Sequence, residues 1–377
     1  IKYAGAMLIC FIAVLFIRMP VRADDGVPAT AWRDNAAAAF AGGNGTETDP
    51  YQITDGAQLA KIAKDVENGT VYKDAYFRLE NDIDLSAHRW NPIGVYKWYG
   101  DTTDNRMFAG FLDGNGKTIT GLIVDERTEK NRAGLFGKIT CIGTATNVGV
   151  KNLNIVDARI YATNEGMKSS SSAILAGMVM TNPGDTVRFD DISVSGTIVN
   201  TKVGDNSMIS GGLIGEAYRV TADNCKSDVT IEGGDNMGGF VGMDCGSAYT
   251  NCKVTGKVTG LWTIGGFVGY AEDAAPRTMC TYDNCIAKVD VVASDWRAGG
   301  FAGYMRKGKA SSCAALGDVT SSVTKFDPKV GGFAGEIGNT GVTGGAILEK
   351  CYAAGKVTAA SPDYKAGGFV GTHTEGT

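Results

Sequence analysis

Gly238-Gly-Phe-Val-Gly242 and Gly265-Gly-Phe-Val-Gly269 are the same five residues, 27 positions apart. They belong to a series. Gly211-Gly-Leu-Ile-Gly215 precedes them, and Gly299-Gly-Phe-Ala-Gly303, Gly331-Gly-Phe-Ala-Gly335 and Gly367-Gly-Phe-Val-Gly371 follow, with starts spaced 27, 27, 34, 32 and 36 residues. Ala133-Gly-Leu-Phe-Gly137 and Ala176-Gly-Met-Val-Met180 read as weaker relatives. A second motif trails each strong unit but the last: Asn224-Cys-Lys-Ser-Asp-Val229, Asn251-Cys-Lys-Val-Thr-Gly-Lys-Val258, Asn284-Cys-Ile-Ala-Lys-Val289, Ser312-Cys-Ala-Ala-Leu-Gly-Asp-Val319 and Lys350-Cys-Tyr-Ala-Ala-Gly-Lys-Val357. Periods of this length, rich in β-branched residues and without a 3.6-residue pattern, specify a β-solenoid rather than a helical array.

One such unit cannot bury its apolar face alone. Stacked units can, because each strand pairs with the coils above and below at about 4.8 Å. Equivalent residues then form interior columns. Phe240, Phe267, Phe301, Phe333 and Phe369 are expected to make an aromatic ladder with Leu213 above it. Cys225, Cys252, Cys285, Cys313 and Cys351 are expected to stack as a thiol ladder of small buried hydrophobes. Side chains stacked in parallel suit neither bridges nor a tetrahedral metal site. Cys141, Cys245 and Cys280 lie outside the ladder, and a Cys245–Cys252 or Cys280–Cys285 bridge stays open. The glycines mark places where the backbone turns sharply or approaches a neighbour closely.

Composition bounds the rest. Glycine accounts for 53 of 377 residues and proline for 8, which excludes a collagen-like chain. Apolar residues make up 44% and charged ones 20%, enough for a large core. The net charge of −5, with no long basic run, argues against nucleic acid as a partner. Two histidines, His88 and His373, leave little room for histidine-based centres.

Lys2, the apolar run Ala4–Ile17 and then Val21-Arg22-Ala23 have the layout of a signal peptide, residues 1–23. The run is shorter than the ~20 residues of a membrane span, and no second apolar span follows. The expected mature amino terminus is Asp24, which amino-terminal sequencing of secreted protein would read. Residues 24–43, rich in Ala and Gly, read as a linker. Residues 44–125 read as an amino-terminal capping module with short strands. Its single helix starts at Thr54 or Asp55, buries Leu59, Ile62, Ala63 and Val66, and ends at Asn68-Gly69. Residues 126–377 read as repeats, ending in mid-repeat after Gly371.

The Gly-Gly-Phe-Val-Gly unit with its trailing Asn-Cys-x-x-x-Gly-x-Val resembles the GLUG motif of bacterial surface proteins. Asp49-Pro-Tyr-Gln-Ile53, Asn81-Asp-Ile-Asp-Leu85, Trp90-Asn-Pro-Ile-Gly94 and Phe111-Leu-Asp-Gly-Asn-Gly116 resemble the module that precedes such repeats. The resemblance covers about residues 44–377. It implies a right-handed parallel β-helix on an exported bacterial protein, secreted or at the cell surface, of a kind often adhesin-like and sometimes attached to a secreted peptidase. No family catalytic motif comes with it. In this chain the 133 and 176 units lack the double glycine, and Ser312 and Lys350 stand in place of Asn.

Chemistry-bearing motifs are sparse. Gly116-Lys117-Thr118 has Phe111 where a phosphate loop needs glycine, so a β-hairpin is the better reading. Asp113-x-Asn115-Gly116 has Val124 where an EF-hand needs an acid. Asp82 and Asp84 share a strand face and are open to weak surface calcium or to simple solvation. Neither histidine begins a zinc-protease motif, and Gly-x-Ser-x-Gly does not occur. Asp190-Asp191 reads as a loop before a strand. Lys226, Lys253 and Lys288 read as a solvated edge without an acidic row. Arg306, Lys307 and Lys309 show no evident acidic partners. Trp262, Trp296, Tyr270 and Tyr304 suit either packing or the stacking of sugars, with Tyr270 expected to be exposed.

The expected function is thus a non-catalytic, adhesin-like binding or display scaffold with no cofactor or metal. Its partner would be a glycan or a host or cell-surface protein. The alternative is the amino-terminal stalk of a larger secreted peptidase or carbohydrate-active enzyme.

Overall fold

The computed structural model describes residues 25–95, 106–128, 132–143, 147–163, 170–201, 208–274, 278–322, 328–338, 345–360 and 365–374. The signal-peptide reading of residues 1–23 lies outside them. The chain forms a parallel β-helix, as expected.

Its coils share one plan, seen in the coil that begins at Thr263. Strand Thr263–Gly265 lies in a seven-stranded sheet, Val268–Glu272 in an eight-stranded sheet, and Thr281–Asp283 and Ile286–Ala293 in a sheet of twenty strands. Every pairing between named strands is parallel and joins neighbouring coils: Gly265 pairs with Gly238 and Gly299, Tyr270 with Met243 and Tyr304, and Val254 with Ser227 and Ala287. The motif spacing is therefore the length of a coil, and the variable segments between motifs are its loops.

The interior is built from the predicted columns. Phe240, Phe267, Phe301 and Phe333 are fully buried, with successive ring centroids 4.6, 4.9 and 4.8 Å apart and nearly parallel planes. Phe369 continues the column at 5.1 Å and is partly exposed in the last described coil. These separations match the strand spacing, so the sheet itself sets the stacking distance. A second column, Tyr249 over Tyr282 at 5.3 Å, meets the Phe ladder edge-on. Each such contact adds about 0.5–1.5 kcal/mol beyond area burial. Leu213, Leu175 and Leu135 extend the Phe column upward. Its frame there differs from the sequence reading. Gly211 through Gly215 aligns with Ala173 through Gly177, because Met208 pairs with Ser170 and Ile214 with Ala176. The weak unit thus starts at 173 rather than 176, and it keeps only the final glycine.

The double glycines answer a need for space. A Cβ on Gly266 would sit 2.0 Å from the carbonyl oxygen of Gly300 in the next coil, while the Gly266 backbone angle is one any residue adopts. The backbone also bends here, but close approach is what requires glycine at the position.

The Asn-Cys motif is a bend. Asn224, Asn251 and Asn284 lie in the left-handed region, with φ of 52°, 55° and 52°, and so do Asn152 and Asp191 upstream and Ser312 and Lys350 downstream. Asparagine tolerates this conformation best among non-glycine residues. Its side chain also links the coils: Asn284 Nδ2 donates to Asn251 Oδ1 at 2.8 Å, and Asn224 Nδ2 to Asp191 Oδ1 at 2.6 Å. The next residue turns inward. Cys225, Cys252, Cys285 and Cys313 are fully buried, and Cys351 is half-buried. Each thiol donates to the carbonyl two residues back and to one in the previous coil, as Cys285 does to Asp283 and Tyr249. Burial and the neighbouring thiols push the Cys285 Sγ well above the usual thiol range, which keeps it a donor. All eight described cysteines are free thiols, so neither open bridge forms.

The amino-terminal module is continuous with this stack. Tyr51–Ile53, Tyr76–Leu79 and Phe111–Asp113 already pair in parallel, one coil to the next, and Phe111 pairs on to Gly149. Ile93 bridges Phe136, so Trp90-Asn-Pro-Ile-Gly94 is the counterpart of the glycine motif in an earlier coil. Helix Gly56–Glu67 carries Asp55 as its N-cap, accepting from Gln58 N at 2.8 Å, and buries Leu59, Ile62, Ala63 and Val66.

Two expectations are corrected here. Residues 25–43 are packed rather than a linker: Trp32 is buried and donates to Leu85 O at 2.9 Å, and Phe40 packs tilted against Tyr51 and edge-on against Phe77. Their aromatic side chains, outnumbered by Ala and Gly, decide the matter. The turn at Asp113–Gly116 is no hairpin either. Phe111–Asp113 and Thr118–Thr120 do not pair with each other; each pairs in parallel with other coils, so the turn bends the path without reversing it.

Candidate functional site

The residues that recur build the interior, so any site must use side chains that do not recur. Along the solenoid, the outer faces of the two short sheets meet across the double-glycine bend. Thr263, Arg297, Lys329 and Lys365 form a column on one side, and Tyr270, Tyr304, Glu336 and Thr372 a column on the other. Trp262 and Trp296 flank the first column, one residue before their strands.

Arg297 organises the cluster. Its guanidinium lies 3.4 Å from the Trp296 ring centroid and 4.3 Å from that of Tyr304. It donates through Nε to Glu336 Oε2, and Lys329 Nζ reaches Glu336 Oε1 at 2.6 Å. Thr374 Oγ1 donates to the same oxygen at 3.0 Å. Burial alone would raise the Glu336 carboxyl; hydrogen bonds from Lys329 and Arg297 outweigh it and hold the group below the usual range. Cation–π contacts of this kind contribute about 0.5–2 kcal/mol. A second node lies beside the first. Tyr270 Oη donates to Glu272 Oε2 at 2.7 Å, and Arg306 Nη1 donates to it at 3.0 Å. Burial, then the Glu272 hydrogen bond, pushes the Tyr270 hydroxyl well up, so it stays a donor. Tyr270 packs against Tyr304 at 5.4 Å with the ring planes tilted by 46°, and Trp262 meets Trp296 edge-on at 6.0 Å.

Three sequence expectations change. Arg306, Lys307 and Lys309 do have acidic partners, in Glu272, Asp273 and Glu349, at 3.0, 2.9 and 3.0 Å. The acids sit 34 and 40 positions away along the chain, one coil off, where linear reading does not pair them. Tyr270, taken as exposed, is half-buried. The four aromatics, left as separate candidates, form one cluster with the charges.

The other candidates stay apart. Asp82 and Asp84 accept from the backbone N–H groups of Thr118 and Ser86, both at 2.8 Å, which uses them as turn caps. No group of three or more His, Cys, Asp or Glu side chains among the described residues is arranged to hold a metal. His88 packs edge-on against Trp32 and bonds Thr30. Asp190 lies in strand Val187–Asn200 and Asp191 at its left-handed bend. Lys226, Lys253 and Lys288 are exposed, with Lys226 and Lys253 register neighbours. The ladder residues Phe240 through Phe369 and Cys225 through Cys351 are structural.

No family model matches the chain. It is 33% identical over 184 residues to halomucin of Haloquadratum walsbyi, a match covering 48% of this chain and 2% of halomucin. It is 31% identical over 212 residues to a candidate Gly-rich membrane protein of Evansella cellulosilytica, covering 54% of this chain and 21% of that protein. The chain thus spans a small part of the curated relatives it matches. No helix among the described residues is long and apolar enough to cross a membrane. The chain also resembles, with a TM-score of 0.54 and 20% identity, the crystal structure of a candidate immunoglobulin A1 protease from Bacteroides ovatus, over 85% of this chain and 86% of that one. That likeness establishes a shared fold.

Proposed function

We propose that this chain is part of an exported surface protein and acts as a non-catalytic, adhesin-like binding and display scaffold. One observation carries the reading. The Phe, Cys, Gly and Asn that recur along the stack are all spent on stacking, while the outer faces are free to vary and hold a local cluster of aromatic and charged side chains at Trp296, Arg297, Tyr304 and Glu336. A stiff stack with varied outer faces suits display and multivalent contact. The carboxylates of the cluster are engaged by cations and hydroxyls, which fits binding better than acid–base chemistry. The similarity to halomucin and to a Gly-rich membrane protein supports placement at a surface.

Antibodies raised against residues 25–374 test the placement. Labelling of intact producing cells is the expected result; labelling only after lysis would contradict it. A role as stalk of a secreted peptidase rests on likeness of fold alone, and fold does not carry activity.

A further inference from the structure

We infer that the outer cluster formed by Trp262, Trp296, Tyr270 and Tyr304 with Arg297 and Glu336 is a binding site for an uncharged glycan chain. The inference rests on the binding-scaffold reading above and names its ligand class and its residues.

The first argument is shape. The aromatics form two short files along the solenoid axis, Tyr270–Tyr304 at 5.4 Å and Trp262–Trp296 at 6.0 Å. All four rings are half-buried, so each is fixed by packing yet keeps part of its surface toward solvent. A row of fixed rings presents apolar surface at little cost in side-chain entropy, which suits the C–H faces of sugar rings.

The second argument is charge. A site for a polyanion needs an uncompensated cationic field. Here Arg297 and Lys329 converge on Glu336, Arg306 engages Glu272, and Lys307 engages Asp273, all within 3.0 Å. Every one of these cations has a carboxylate partner, and four cations against three carboxylates leave a net charge of only +1. What remains is a set of oriented donors and acceptors beside the rings, the complement of sugar hydroxyls.

The third argument separates a glycan from a protein. Tryptophan, tyrosine and arginine also anchor protein interfaces, but such anchors sit at the centre of a wide, closely packed contact area. Among the described residues only Ile347 and Tyr352 are large exposed hydrophobics, and both lie in the last described strands of the twenty-stranded sheet, away from the cluster's two sheets. The cluster is a narrow strip with a charged border.

The test uses the full exported chain on an array that holds neutral β-glucans, galactomannans and N-acetylated oligosaccharides beside uronate-containing and sulfated chains. The expected result is saturable binding to a neutral chain that changes less than twofold between 0.05 and 0.5 M salt. That ligand should also shift the tryptophan fluorescence. Binding should fall tenfold or more in Trp296→Ala. Because Trp296 supports Arg297, Trp262→Leu and Tyr304→Phe are measured beside it, each checked for an unchanged urea midpoint. Trp262→Leu should lose affinity, and Tyr304→Phe, which keeps the ring, should retain it. Binding only to anionic chains with steep salt dependence would overturn the inference. So would neutral-glycan binding that is indifferent to Trp262 and Trp296, or no glycan binding. In the last case, saturable binding of the protein to intact cells after deglycosylation would leave the scaffold reading standing. Binding to no surface at all would sink both.

Discussion

Phe267 lies between Phe240 and Phe301, fully buried, with rings above and below it at 4.6 and 4.9 Å. Phe267→Ala removes both stacks and opens a cavity that rigid neighbouring strands cannot close. The expected cost is about 3–5 kcal/mol. Lys253, exposed on the outer face, is the control, and Lys253→Ala should stay within about 0.5 kcal/mol. Urea midpoints of the two variants decide; coincidence would contradict the ladder. Asp244 yields a different test. It is fully buried, its Oδ2 accepts from Tyr282 Oη at 2.6 Å, and burial raises its carboxyl above the usual range. A carboxyl raised in the folded state gives stability that is complete below its unfolded pKa of about 3.9 and is lost as pH rises through the folded value. Asp244→Asn keeps the acceptor for Tyr282 and cannot ionise. The variant should therefore gain on wild type as pH rises from 4 to 8. Melting temperatures across that range read the difference, and a gap that is constant or shrinks with pH would refute the assignment.

The glycine bend and the asparagine bend are the elements that hold the coils in register. Gly266→Ala drives a Cβ to within 2.0 Å of Gly300 O, whereas Gly368, at the same motif position in the last described coil, has nothing within 4 Å of a Cβ. Gly266→Ala is expected to lower the urea midpoint sharply or to prevent folding. Gly368→Ala should leave the midpoint unchanged in this chain, and equal effects would refute close approach as the reason for the motif. Ser312 and Lys350 take the same left-handed bend as the asparagines, at φ of 55° and 53°. Ser312→Asn should stabilise by about 0.5 kcal/mol, through its backbone preference and a new link to Asn284. A denaturant titration reads that gain, and a loss would contradict it. These elements were legible in the sequence because each recurs. The Phe and Cys columns follow from repetition alone, and Asp55 from ordinary capping chemistry. The frame of the weak unit was not legible, because Ala173-Ile-Leu-Ala-Gly177 lacks the double glycine that anchors the others. The turn at Asp113–Gly116 misled because turn residues mark a bend without saying whether the chain reverses after it.

At the scale of the whole molecule, solenoid winding brings together residues a coil apart. This explains what was hidden in the site. Glu272 and Arg306, or Arg297 and Glu336, are distant in sequence and carry no repeating signature, yet sheet register for the first pair, and the bend between adjoining sheets for the second, make them neighbours. The four aromatics were visible as candidates, and their union with paired charges was not. Residues 25–43 packed for a related reason: Trp32 and Phe40 find aromatic partners only once the first coils are built. The central functional claim is that this surface binds without turning over what it binds. Its most direct test incubates the purified exported chain with neutral and acidic polysaccharides and protein substrates, with and without calcium, and measures retained ligand and released product together. Saturable retention with no product is predicted. Reproducible product release that disappears on a single substitution such as Glu336→Gln or Glu272→Gln would contradict it.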